Sequence, residues 1–115
     1  MLHYTLYPHK TSQQWVTFVH GAGGSSTIWH KQIRAYTKRY NVIMLDLRGH
    51  GNSKPTLKQA FNQRYTFDVI VADILEVLDH EEIETSHFVG ISLGTILIRQ
   101  LAETYPERVR SMVMG

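Results

Sequence analysis

Residues 90–94 read Gly-Ile-Ser-Leu-Gly, and Ser92 at their centre is the clearest candidate for chemistry in this chain of 115 residues. A short apolar run, residues 86–91, leads into the pentapeptide, and apolar residues at helical spacing follow from 95 to about 105. A strand, a sharp turn and a helix in that order would expose the serine hydroxyl. The helix N-terminus would favour the negative charge that develops during acyl transfer. Taken alone, the pentapeptide also fits an ordinary Gly/Ser turn between a strand and a helix.

A glycine-rich segment is the second candidate. Residues 20–26 read His-Gly-Ala-Gly-Gly-Ser-Ser and follow the apolar run 15–19. Glycines let a backbone N–H approach a ligand closely, as the stabilisation of a developing oxyanion requires. A flexible linker or a phosphate loop would have a similar composition, but the segment has no Gly-Lys-Ser/Thr and does not fit Gly-x-Gly-x-x-Gly. On residue type alone, His20 is either a catalytic base or a local hydrogen-bonding residue.

The third candidate follows the apolar run 41–45. Residues 46–53 read Asp-Leu-Arg-Gly-His-Gly-Asn-Ser. Two glycines permit a tight bend, and Asp46 and Arg48 can tie the loop through charge-assisted hydrogen bonds. Asp46 and His50 are also of the residue types that complete a catalytic triad.

These three motifs, in this order, resemble those of the α/β-hydrolase family, and the resemblance extends over about residues 15–115. It implies that Ser92 is the nucleophile and that the backbone N–H groups of Leu93 and Ala22 hold the oxyanion. Gly23 is the neighbouring possibility for the loop donor. The resemblance predicts a cofactor-free hydrolase with no metal.

The same resemblance assigns the remaining candidates. It implies a local hydrogen-bonding role for His20 and an architectural role for the loop at 46–53, so that Asp46 and His50 are not the expected partners of Ser92. In this fold the triad order is Ser, then Asp or Glu, then His. None of the seven histidines follows Ser92. We therefore expect residues 1–115 to be the N-terminal part of one hydrolase domain, with the acid, the base and the cap region beyond residue 115.

Alternating strand and helix patterns position the three motifs. Apolar or β-branched runs predict strands over 2–7, 15–19, 41–45, 86–91 and 109–114. Ser25 or Ser26 can cap a helix that carries Trp29, whose ring suits core packing. Thr66 can cap a second helix, with Asp68 near its positive end. The order predicts an α/β fold, a mostly parallel sheet with helices on both faces in three layers.

Composition narrows the class of protein. A formal charge of +2 does not favour nucleic acid, and no apolar run is long enough to span a membrane. Without cysteine the chain has no disulfide framework, Cys-ligated metal or thiol nucleophile. The first seven residues lack the basic start and apolar core of a signal peptide, so a cytoplasmic location is expected.

Two functions remain open at this point. The first is an esterase-like serine hydrolase that acts on a small-molecule carboxylic ester or a related acyl substrate, with ester, amide, thioester and activated carbon–carbon bonds all possible. The second is a binding or assembly module on the same fold, because fold does not fix function. A strand over 109–114 would also present an open, apolar edge, which predicts self-association.

Overall fold

The structure, a computed structural model, describes residues 2–20, 29–47 and 67–114. Five strands form one sheet in the order β1-β3-β2-β4-β5. β1 runs antiparallel to β3, and the other neighbouring pairs are parallel. The mostly parallel sheet is therefore confirmed. Its elements in chain order are β1 (Tyr4–Tyr7), β2 (Trp15–Val19), α1 (His30–Thr37), β3 (Asn41–Leu45), α2 (Phe67–His80), β4 (Ser86–Gly90), α3 (Leu93–Thr104), a 3-10 turn (Pro106–Arg108) and β5 (Val109–Met114).

Helices cover both faces of the sheet, as the sequence predicts. Successive residues of β2 and β3 alternate between two separate buried clusters because side chains of a strand point to opposite faces. Ile43 and Leu45 pack with α2 and α3 on one face. Val42 and Met44 lie in the cluster with Trp29 on the other face, where α1 packs. The central strands read as continuous apolar runs because both of their faces are buried.

The first helix begins later than the serine pattern suggests. α1 starts at His30, with Trp29 at the N-cap and no capping side chain, so neither Ser25 nor Ser26 is its cap. Trp29 is buried, and its ring lies 4.9 Å from that of Phe18 between centroids. The predicted core role of Trp29 is confirmed. Thr66, the predicted cap of α2, lies outside the described residues.

β5 forms one edge of the sheet. Among the described strands it pairs with β4 alone, and a bulge between Ser86 and His87 shifts the register of that pair. Met112, Val113 and Met114 are exposed by 40%, 55% and 47%. No helix within the described ranges is long and apolar enough to cross a membrane.

Candidate active site

Ser92 lies in a turn of only two residues. β4 ends at Gly90 and α3 begins at Leu93, so Ile91 and Ser92 carry the reversal between them. Ser92 has φ 55° and ψ −119°, a conformation that side chains rarely adopt and that costs about 1–3 kcal/mol. Its side chain is exposed to solvent. The sharp, strained turn predicted for the pentapeptide is therefore present.

Close contacts require a glycine at position 94 and leave little room for a side chain at position 90. A Cβ at Gly94 would lie 2.2 Å from the carbonyl oxygen of Val19 and 3.0 Å from that of His20. A Cβ at Gly90 would lie 2.5 Å from Cδ1 of Ile98. Since the atoms that Gly94 meets are backbone, they cannot rotate away. The glycines thus allow α3 to start directly against the end of β2.

The start of α3 leaves the Ser92 hydroxyl available. Ser92 is the N-cap residue, yet its side chain makes no capping hydrogen bond. Its carbonyl oxygen instead accepts the N–H of Thr95 at 3.0 Å and the Thr95 hydroxyl at 2.6 Å. Leu93 opens the helix, and N–H groups of a first helical turn have no partner inside the helix. A serine hydroxyl and a polarised N–H therefore lie side by side at a positive helix end.

The end of β2 lies next to this turn. The Ile91 N–H points at the carbonyl oxygen of Val19 at 3.4 Å. His20, the next residue, is fully buried, and its Nε2 accepts the backbone N–H of Leu47 at 2.9 Å. His20 therefore has the local bonding role predicted for it, with this lone pair committed to the backbone. Ala22 and Gly23, the predicted loop donors, lie outside the described residues.

Asp46 also has a structural contact. Its carboxylate is buried and lies 3.2 Å from Nδ1 of His3, and its backbone N–H donates to the His3 carbonyl at 2.9 Å. These bonds tie the segment before β1 to the end of β3, in keeping with the architectural role expected of this loop. Arg48 and His50 lie outside the described residues.

No histidine in the described part of the chain hydrogen-bonds to Ser92. His87 instead bonds to Ser111 and Gln14, a network that the sequence reasoning missed. Strand alternation places His87 and Ser111 on one face, but their pairing depends on the bulge in β4 and β5, which leaves no signal in the sequence. Within 2–20, 29–47 and 67–114 no group of three or more potential metal ligands comes together.

The chain is similar to known proteins over most of its length. A family model described as the alpha/beta hydrolase fold matches residues 14–114. The chain is 32% identical over 98 residues to 3-oxoadipate enol-lactonase 2 of Acinetobacter baylyi and, over the same length, to the pimeloyl-[acyl-carrier protein] methyl ester esterase of Aeromonas hydrophila. Each match covers 85% of this chain and 35% of the relative.

Solved structures give the same result. The enol-lactonase of Burkholderia xenovorans superposes with a TM-score of 0.85 at 26% identity, over 96% of this chain and 41% of the other. This chain thus spans well under half the length of each of these three proteins.

Proposed function

This chain belongs to the α/β-hydrolase family, and from that premise we propose that it carries the nucleophile of an esterase-like serine hydrolase. The observation that supports this most directly is the backbone of Ser92, held at φ 55° at the start of α3 with its hydroxyl outside the helix. Strain of this kind persists only where the surroundings enforce it. Here the two-residue turn between β4 and α3 and the close approach of α3 to the end of β2, which leaves no room for a Cβ at Gly94, support that explanation.

In the proposed reaction the Ser92 hydroxyl oxygen attacks the carbonyl carbon of the substrate. A base accepts the hydroxyl proton and later delivers it to the leaving alcohol, and water then releases the acyl group. The Leu93 N–H and a loop N–H, from Ala22 or its neighbour Gly23, would bind the oxyanion. Loss of one such donor typically lowers the rate by 10²–10³-fold.

The acid and the base of the triad are proposed to lie in sequence beyond residue 115. Two findings support this. Ser92 has no histidine partner in the described part of the chain, and the relatives are more than twice as long as the segment that matches. The triad order of this fold also places both partners after the nucleophile.

A carboxylic ester is the proposed substrate class. The relatives include enol-lactonases and a methyl ester esterase, and a lactone is a cyclic ester. Ile91, directly before the nucleophile, exposes 43% of its surface. An apolar residue in that position would favour an apolar group on the substrate.

Labelling with a fluorophosphonate tests the nucleophile. The full-length protein should be labelled on the peptide that contains Ser92, and Ser92→Ala should lose that label completely. Ser12→Ala is the matched control, because Ser12 lies in the turn before β2 and should keep full labelling. A label retained on that peptide in Ser92→Ala would contradict the proposal. An unlabelled wild-type protein would also contradict it, and would favour a binding or assembly role on the same fold.

A further inference from the structure

A second serine contacts a histidine at the other end of β4. The Ser111 hydroxyl oxygen lies 2.6 Å from Nδ1 of His87, and Nε2 of His87 lies 2.8 Å from Oε1 of Gln14. The three residues come from β5, β4 and the segment before β2. Ser111 and Gln14 are exposed, and His87 is half-buried between them.

The two hydrogen bonds determine which nitrogen of His87 carries its proton. Oε1 of Gln14 is an acceptor only, so Nε2 of the neutral ring donates to it. Nδ1 then offers a lone pair, and the Ser111 hydroxyl donates to that lone pair. A nucleophile, a base and a group that orients the base are thus in contact, and an amide serves in the third place in Cys-His-Asn proteases too.

The surroundings of His87 favour its neutral form, which can act as a base. Burial and, to a smaller extent, the positive charge of Arg110 lower the pKa of His87 below its ordinary value. The Tyr40 ring lies edge-on at 5.6 Å between centroids, and Gln14 and Ser111 are uncharged. His87 can therefore accept a proton at neutral pH.

This cluster is separate from the Ser92 site. Three residues of strand rise lead from His87 to Gly90, which at about 3.3 Å each is roughly 10 Å, and Ser92 lies beyond that end of the strand, in the turn. An imidazole cannot span that distance. His87 therefore has no part in the chemistry proposed for Ser92.

The pair of Thr11 and His9 shows that contact between a hydroxyl group and a histidine is not sufficient for proton transfer. The Thr11 hydroxyl lies 3.5 Å from Nδ1 of His9. The same nitrogen already accepts the backbone N–H groups of Thr11 at 3.1 Å and Ser12 at 2.9 Å. Its lone pair is occupied, so His9 cannot take a proton from the hydroxyl.

We propose that Ser111, His87 and Gln14 form a second nucleophilic site, at which Ser111 accepts an acyl group from small activated esters. The Ser111 hydroxyl oxygen bonds to the acyl carbon while its proton passes to Nδ1 of His87. The bond from the acyl carbon to the leaving oxygen breaks, and the leaving group takes up the proton. The products are acyl-Ser111 and the free alcohol or phenol, with one acyl group bound per chain.

The test uses p-nitrophenyl acetate and the full-length protein carrying Ser92→Ala, so that acylation of Ser111 does not depend on the function proposed for Ser92. Peptide mapping should find acetyl on Ser111 well before any other hydroxyl. His87→Gln should slow this step about 100-fold, the usual contribution of a general base. Gln14→Ala, which removes a positioning residue, should slow it less and move the pH profile of the rate.

The pH dependence of the acylation rate tests the proposal even if one of the variants folds poorly. In the Ser92→Ala chain the acylation rate should rise with pH as the His87 ring loses its proton, with the midpoint below about 6.5. That midpoint should coincide with the NMR titration of His87. His9→Gln is the matched control and should leave both the rate and the midpoint unchanged. Acetyl spread equally over Thr11, Ser12 and Ser111, or a rate that does not follow His87, would overturn the proposal.

Discussion

The backbone of Ser92 and the size of its two neighbouring glycines are the residue-scale features that shape the candidate site. The sequence predicts both features because two structural requirements coincide in residues 90–94. The turn between β4 and α3 is only two residues long, and α3 starts within contact of the Val19 carbonyl. Glycine is the only residue that allows this close contact with the Val19 carbonyl at position 94. The strained backbone conformation of Ser92 therefore follows from the course that the neighbouring residues impose on the chain.

Replacing Ser92 by glycine should therefore stabilise the chain relative to replacement by alanine. Relief of the strained backbone is worth about 1–3 kcal/mol, and the extra freedom of glycine in the unfolded chain costs about 0.5–1 kcal/mol. We expect Ser92→Gly to be more stable than Ser92→Ala by about 1 kcal/mol in urea denaturation.

The matched control for this comparison is Arg99, an exposed residue inside α3. There the order should reverse, with Arg99→Gly about 1 kcal/mol less stable than Arg99→Ala because an ordinary helical backbone favours alanine. Equal stabilities for the two Ser92 variants would show that the turn is not strained.

Individual histidines differ in how far the sequence reveals their roles. His20 is adjacent to a recognisable motif, so its bonding role is predicted and the contact with Leu47 agrees with it. His87 has no such motif. Its partners are 24 residues later and 73 residues earlier in the chain, and only the folded sheet brings them together.

At the scale of elements, strands were easier to predict than helix ends. β2 and β3 have the predicted bounds, since a buried strand of a parallel sheet is a continuous apolar run with polar residues on either side. β5 also has its predicted bounds, although it is an exposed edge strand. α1 starts later than predicted because Trp29, held by the core, occupies its N-cap without a side-chain bond. Packing overrides capping preference at that position.

The exposed edge formed by β5 predicts that the chain associates with other copies of itself. Arg108 cannot discourage pairing, because its guanidinium is bound to Asp79 and to the carbonyls of Ile83 and Glu84. Arg110 is then the one charge on β5 itself, in the half of the strand farther from Met114. We expect the 115-residue chain to self-associate through β5 at tens of micromolar, the range in which exposed edges aggregate.

Light scattering on the purified chain measures this association. Val113→Lys places a charge on the exposed edge and should shift the chain towards the monomer. Thr5→Lys, an equivalent change on β1 at the other edge of the sheet, is the control and should leave the association unchanged. A cooperatively folding monomer in the unmodified chain would contradict the expectation.

At the scale of the whole molecule, the 115 residues contain the sharp turn at Ser92, and in their described part no histidine hydrogen-bonds to that serine. An enzyme that lacks a triad member retains roughly 10³-fold catalysis over water from its oxyanion donors and binding alone. We expect the 115-residue chain to fall below even that level, because the segment that matches is 35% of the enol-lactonase from Acinetobacter and would leave pocket walls unbuilt.

Repeated turnover of a p-nitrophenyl ester measures this activity. Only the p-nitrophenol released after the first equivalent is counted, so that single acylation of a side chain does not contribute. The expected rate lies close to the uncatalysed one, and Ser92→Ala should not change it. Turnover at the rate of an intact hydrolase that disappears in Ser92→Ala would show that a base is present within these 115 residues.

The contact of Gly94 with the carbonyls of Val19 and His20 has a consequence for divergence within the family. It is a contact between backbones, so the spacing of the nucleophile turn and the end of β2 does not depend on which side chains surround them. Side chains around the site are then free to change with the substrate while that spacing is retained. Relatives whose names describe an enol-lactonase and a methyl ester esterase can accordingly each share only 32% of their matched residues with this chain. A spacing set by a glycine and two backbone carbonyl groups can stay the same while the side chains around it change.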